Sequence, residues 1–188
     1  MARIGIRAAL CVGVVSVAVA VAAARIGAAG PPAGAMATCA TQSTAHFPGG
    51  FTSPRNLVVG PLVLVGAGGI PNYSGTFGGQ KFPLLVAAGH RVTIALSAQT
   101  RRGAGLGYGP LPQGEVGVAE AHRVVTFVAC PRGRFSGSTA GGRAVTFWSG
   151  GLLARSARCV PLLVWIDRAH SPVHVVVHLG VNRCTAAP

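Results

Sequence analysis

The final third of the chain places the strongest constraint on its fold. Between Cys159 and Cys184, two runs rich in β-branched residues, Val160 to Ile166 and Val173 to Leu179, flank Asp167-Arg168-Ala169-His170-Ser171-Pro172. Val, Ile and Trp suit a pleated strand, while Asp, Ser and Pro favour turns, so the order predicts an antiparallel hairpin. In its second arm Val173, Val175, Val177 and Leu179 alternate with His174, Val176 and His178. This puts the first set toward a core and the second toward water.

The same period of two recurs upstream. Arg91 to Leu96 alternates as a half-buried strand and forms a second predicted hairpin with Lys81 to Ala87 around Ala88-Gly89-His90. Arg123 to Ala129 and Arg143 to Trp148 alternate likewise. Leu57 to Val65 reads as one strand interrupted at Gly60-Pro61, where a bulge or an edge position is expected. Thr38 to Arg55 reads as an irregular lead-in, and Gly66 to Gly79 and Thr100 to Gly114 as loops, the second anchored by Leu106 and Tyr108. Residues 115–121 are too few, and interrupted by Gly117, to sustain a helix. With 28 Gly and 13 Pro in 188 residues, this pattern predicts an all-β chain. The expected architecture is an Ig-like antiparallel β-sandwich of about seven to eight strands over residues 38–188, with Trp148 and Trp165 as packing residues.

Residues 1–37 follow a different logic. Arg3 and Arg7 precede an uncharged Ala/Val run from Ala8 to Ala24, and small residues follow, the order of a secretory signal peptide and linker. Cleavage is expected after Ala24, Ala29 or Ala37; an uncleaved segment would instead anchor the protein to a membrane. Cys11 falls within this segment, leaving Cys39, Cys130, Cys159 and Cys184 for an oxidising compartment. Four cysteines allow three pairings. Strand register puts Cys159 opposite residues 178 to 180, so a bridge to Cys184 needs Gly180-Val181-Asn182 to fold the tail back. The pairing expected on that ground is Cys130 with Cys159 and Cys39 with Cys184, and a free thiol pair would suggest a metal or redox chaperone instead.

Fifteen Arg and the single Lys81 oppose only Glu115, Glu120 and Asp167, a net charge of +13. Such a balance favours acidic partners, and Arg101-Arg102 is the one adjacent pair in the mature chain and so the candidate polyanion contact. The scattering of the other Arg residues suits a solvated basic surface, and no nucleic-acid partner is expected.

Several motifs fail on physical grounds. Val63 to Pro71 resembles the first turn of a dinucleotide-binding unit, but Pro71 takes the third glycine position and no helix can follow to receive a pyrophosphate. Gly103 to Gly109 lacks the Gly-Lys-Ser/Thr of a phosphate-binding loop. His170, His174 and His178 would converge on a helix, but four residues of strand span about 13 Å, too far to share one metal ion. Asp167 is expected to stabilise its own turn near His170. Neither a Gly-x-Ser-x-Gly elbow nor a carboxylate pair is present, so no catalytic residue, metal or cofactor is predicted. Asn72-Tyr73-Ser74 is a formal glycosylation sequon without expected consequence.

The order Phe127-Val128-Ala129-Cys130-Pro131, then Thr146-Phe147-Trp148-Ser149-Gly150-Gly151, then Arg158-Cys159-Val160-Pro161-Leu162, then a Val-rich strand and a last Cys, resembles a group of small exported proteins from actinobacteria. The resemblance covers roughly residues 57 to 184 and implies an exported β-rich domain with disulfides; it transfers no activity. The functional expectation is therefore a secreted, non-enzymatic protein of the cell surface or wall that contacts protein or an anionic polymer. The competing expectation is a secreted hydrolase or metal-dependent enzyme that gathers His residues from separate loops.

Overall fold

The structure, a computed structural model, describes residues 30–112, 116–133 and 137–184. Most of the predicted signal segment, including Cys11, lies outside the described residues, as does Glu115. The described chain is all-β, with fourteen strands and one 3-10 turn, Cys39–Thr41. Numbered in chain order, the strands form three sheets. The first runs β1 (Ala35–Thr38), β9 (Val124–Val128), β7 (Arg91–Leu96), β13 (Arg158–Ile166), β14 (Val173–Leu179). The second runs β2 (His46–Phe47), β10 (Ser138–Ala140), β11 (Arg143–Trp148), β6 (Leu84–Ala87), β4 (Leu62–Leu64), β3 (Leu57–Val59). The third is β5 (Gly79–Lys81), β12 (Gly151–Ala154), β8 (Ala104–Gly107).

One apolar cluster joins all three. Val92, Ile94, Leu96, Phe127, Leu162 and Val164 of the first sheet meet Leu62, Leu64, Val86 and Trp148 of the second and Leu106 and Leu152 of the third. Aromatic rings bind the middle: Phe127 stands 5.5 Å from Tyr108 and 5.2 Å from Trp148 between ring centroids. Their polar atoms are satisfied, since the Tyr108 hydroxyl donates to the Phe82 carbonyl at 2.7 Å and the Trp148 indole N–H to the Thr38 carbonyl at 3.2 Å. Burial pushes the Tyr108 hydroxyl pKa far up, so it stays neutral. The outer face of the second sheet carries a smaller cluster of its own, where Phe47 meets Phe147 edge-on at 5.0 Å.

The predicted C-terminal hairpin is present, with Val164 opposite Val173 and Arg158 opposite Leu179. Val177 and Leu179 are buried as expected, but Val173 is exposed because β14 is an edge strand whose start runs past the core. Eight of the fourteen strands correspond to the seven predicted runs, and the other six lie in the linker, the lead-in, the predicted loops and stretches to which no strand was assigned. The predicted hairpin of Lys81 to Ala87 with Arg91 to Leu96 does not form: the turn at Gly89 carries the chain from the second sheet to the first, and β6 pairs β4 and β11 while β7 pairs β9 and β13. Gly60-Pro61 does not bulge a strand: Gly60, at φ 55°, turns the chain back so that Val59 faces Leu62 in a β3–β4 hairpin. Gly103 to Gly109 contributes β8, whose Leu106 and neighbouring Tyr108 are buried.

The sheets are not wholly antiparallel, since β1 pairs parallel with β9 and β2 with β10. Ala35 to Ala37, assigned to the linker, therefore belong to the fold, and cleavage after Ala37 would remove most of β1. The lead-in is partly ordered for the same reason.

The expected disulfide pairing is corrected. Cys39 bonds Cys130 and Cys159 bonds Cys184, with Cα atoms 4.8 and 5.6 Å apart. Register does put Cys159 opposite His178, as expected. What the strand argument missed is the tail's reversal: Gly180 adopts φ 69° directly after β14 and donates its N–H to the Pro71 carbonyl, swinging Cys184 back. At the other end, parallel pairing of β1 with β9 ends at Thr38 and Val128, which brings Cys39 beside Cys130. No free thiol remains among the described residues.

Candidate functional site

The cations and acids of the chain are placed so that they barely neutralise one another. Of the acids, Glu120 and Asp167 are described, and the one ion pair among the described residues joins Asp167 to His90, not to an Arg. Arg123 is spent internally, donating to the carbonyls of Ala104, Ala121 and Val118. Arg143 lies over the Phe51 ring at 5.1 Å. Among the other described guanidinium groups, two sets gather at opposite ends of β7.

At one end, β7 runs into the turn that carries Arg101 and Arg102. Arg101 folds its Nε–H back to the Leu96 carbonyl at 3.2 Å, whereas Arg102 is exposed. The turn that follows β12 docks beside it: the Arg155 N–H donates to the Gly103 carbonyl at 3.2 Å, and the Arg158 guanidinium lies over Gly103, where a side chain would collide with it. Arg101 and Arg102 thus gain Arg155 and Arg158 as neighbours from more than fifty residues away in sequence. No described carboxylate forms an ion pair with this group, although Glu120 lines a hollow beside Arg155.

At the other end, His90, Arg91, Arg132, Asp167 and Arg168 line an open recess of about 550 Å3. Its backbone is tightly tied, because the Gly89 N–H donates to the Cys130 carbonyl, Ala129 N–H to the His90 carbonyl and Asp167 N–H to the Arg91 carbonyl. Asp167, at φ 53°, is the non-glycine residue with a left-handed backbone among those described, a conformation that Asp tolerates better than most. Its Oδ1 accepts from the Arg91 N–H at 3.0 Å and its Oδ2 contacts His90 Nδ1 at 2.9 Å. The expected partner in its own turn, near His170, is replaced by one across the β7–β13 pairing, since Ile166 opposite Val92 delivers Asp167 to the start of β7.

Partial burial would raise the Asp167 pKa, but the Arg91 N–H, the His90 hydrogen bond and the charges of His90 and Arg132 outweigh it and hold the carboxyl below its usual value. A depressed folded-state pKa stabilises the fold above the unfolded-state value of roughly 4, and that contribution disappears as the pH falls through the folded-state value. Asp167→Asn is therefore expected to flatten the acid limb of the stability profile below about pH 4, as read by urea midpoints at several pH values. An unchanged acid limb would contradict the assignment.

Searches against protein families, curated proteins and solved structures found no match.

The histidines predicted as possible partners from separate loops do not come together. His46 bonds Thr139, His122 contacts the Pro110 carbonyl, and His170, His174 and His178 are strung along the terminal hairpin. Among the described residues no group of three His, Cys, Asp or Glu is placed to hold a metal ion. Another hollow of about 780 Å3, between Phe77, Leu111 and Leu153, is largely apolar, with Lys81 the one charged residue among its described lining. Sequence reasoning missed Arg155 and Arg158 and the whole His90 recess. The available signal was the scarcity of acids: a lone carboxylate in the last third, Asp167, had few competing roles.

Proposed function

We propose that this protein is an exported, Ig-like β-sandwich, delivered by its N-terminal signal segment, that binds a linear anionic polymer of the cell surface or wall without transforming it. The observation that carries this reading is the cationic end formed by Arg101, Arg102, Arg155 and Arg158, none of which forms an ion pair with a described carboxylate. A run of guanidinium groups with no internal carboxylate partner is costly to keep close together in water of low salt, and a polyanion relieves that repulsion while releasing its own counterions. Two disulfides suit an oxidising compartment, and no described helix is long and apolar enough to cross a membrane. An acidic exported protein is the second kind of partner with the same charge.

The test uses fluorescent poly(glycerol phosphate) at low ionic strength. Changing Arg101, Arg102, Arg155 and Arg158 together to Gln is expected to weaken binding at least tenfold while leaving the circular dichroism spectrum intact. Undiminished polymer binding by the folded variant would contradict the proposal, and binding of an acidic protein alone would move the partner to that class.

A further inference from the structure

A second site stands at the opposite end of β7. We infer that the recess formed by His90, Arg91, Arg132 and Arg168 is a discrete binding site for a single tetrahedral oxyanion, a phosphate or sulfate group. It goes beyond polymer binding by the Arg101–Arg102 end and does not depend on it.

The recess is cationic because its one carboxylate is already committed. Asp167 turns Oδ1 to the Arg91 backbone N–H and Oδ2 to His90 Nδ1, and no described guanidinium lies within ion-pair distance of either oxygen. His90 is thereby oriented: with Nδ1 turned to the carboxylate, Nε2 points the other way, toward Arg132. The gap between Nε2 and the Arg132 guanidinium is 3.5 Å, too long for a strong hydrogen bond. Both groups therefore keep unused hydrogen-bonding capacity at the mouth of the recess, where an oxyanion would accept from Arg132 and, when the ring is protonated, from Nε2–H. The charged groups facing His90 are Asp167 and Arg168 from the β13–β14 turn, Arg91 from β7, and Arg132 from the segment after β9.

The mounting is built to hold this arrangement. Gly89, at φ 83°, passes beneath the Arg132 side chain, and any Cβ there would strike it. Cys130, two residues before Arg132, is fixed by its disulfide to Cys39. The described lining holds no hydroxyl or thiol, and its guanidinium groups supply donors for an anion.

The two ends are separated by the six residues of β7, about 20 Å of strand. That exceeds the Debye length of about 8 Å at physiological salt, so anion occupancy of one is screened from the other. The experiment follows the His90 ring nitrogens by NMR as inorganic phosphate, and separately sulfate, is added at constant ionic strength held with chloride. The expected result is a saturable His90 shift with at least one of the two, weakened at least tenfold in Arg132→Gln and unchanged in Arg102→Ser. A shift that does not saturate, or that Arg132→Gln leaves intact, would overturn the inference. Loss of polymer binding in the Arg101–Arg102 variants would leave this result untouched, so the two proposals fail separately.

Discussion

Replacing Cys39 and Cys130 together by Ser is expected to cost the fold more stability than replacing Cys159 and Cys184. The bridge spans 91 residues, and on the chain-entropy account closing such a loop contributes about 4.6 kcal/mol. The bridge from Cys159 to Cys184 spans 25 residues and contributes about 3.5 kcal/mol on the same account. Local structure widens the difference. Cys159 and Cys184 close a hairpin that β13 and β14 already hold along seven paired positions. Cys39, by contrast, follows a four-residue edge strand whose sheet partner is β9 alone. Cys130 is also fully buried, with its N–H on the Thr146 hydroxyl at 2.7 Å, so a serine there would bring a second hydroxyl into an apolar setting. Urea unfolding of the two double variants should therefore rank the Cys39/Cys130 pair as the more damaging by about 1 kcal/mol or more. The reverse ranking would mean that β1 is held by something other than its bridge.

Trp148→Ala is the second large effect. Trp148 is among the largest fully enclosed side chains, and it stands where the second sheet ends and the third begins. Its ring packs on Phe127 across the core, and its N–H holds the Thr38 carbonyl at the end of β1. Truncation removes the ring's burial and leaves a cavity that rigid sheets on each side collapse into poorly, a cost of about 3–5 kcal/mol. Trp148→Phe keeps most of the volume and removes the hydrogen bond, so it should cost less, on the order of 1–3 kcal/mol. If both substitutions cost the same, the packing argument fails.

Much of the sheet structure was legible because strand periodicity is a local property. Val173 to Leu179 takes the hairpin pairing that its turn chemistry predicts, but Arg91 to Leu96 does not: it pairs with β9 and β13, far along the chain, and is buried on both faces from Val92 onward where a half-buried strand was expected. The short strands were hidden for the opposite reason. Ala104 to Gly107 and Gly151 to Ala154 are small-residue segments whose pairing depends on each other across the chain: a side chain on Gly151 would collide with the Gln80 backbone, so its glycine serves close strand approach, not a loop. The disulfide pairing was misread because one positive-φ residue, Gly180, reverses the tail, and such reversals leave no periodic trace.

The basic ends lay outside local reach as well. Arg101-Arg102 was visible as an adjacent pair. Arg155 and Arg158 join it through the docking of two turns, and His90 meets Asp167 only through the β7–β13 register. Charge composition shows an excess of cations, and tertiary structure shows which of them gather.

The central claim is electrostatic, and the salt dependence of affinity tests it most directly. The logarithm of the association constant for poly(glycerol phosphate) should fall linearly with the logarithm of salt concentration. By analogy with single-stranded polyanions, each phosphate contact contributes about 0.7 to the slope, so changing Arg101, Arg102, Arg155 and Arg158 to Gln should make it shallower by about 3. Affinity that does not respond to salt, or a slope the four substitutions leave unchanged, would contradict the account.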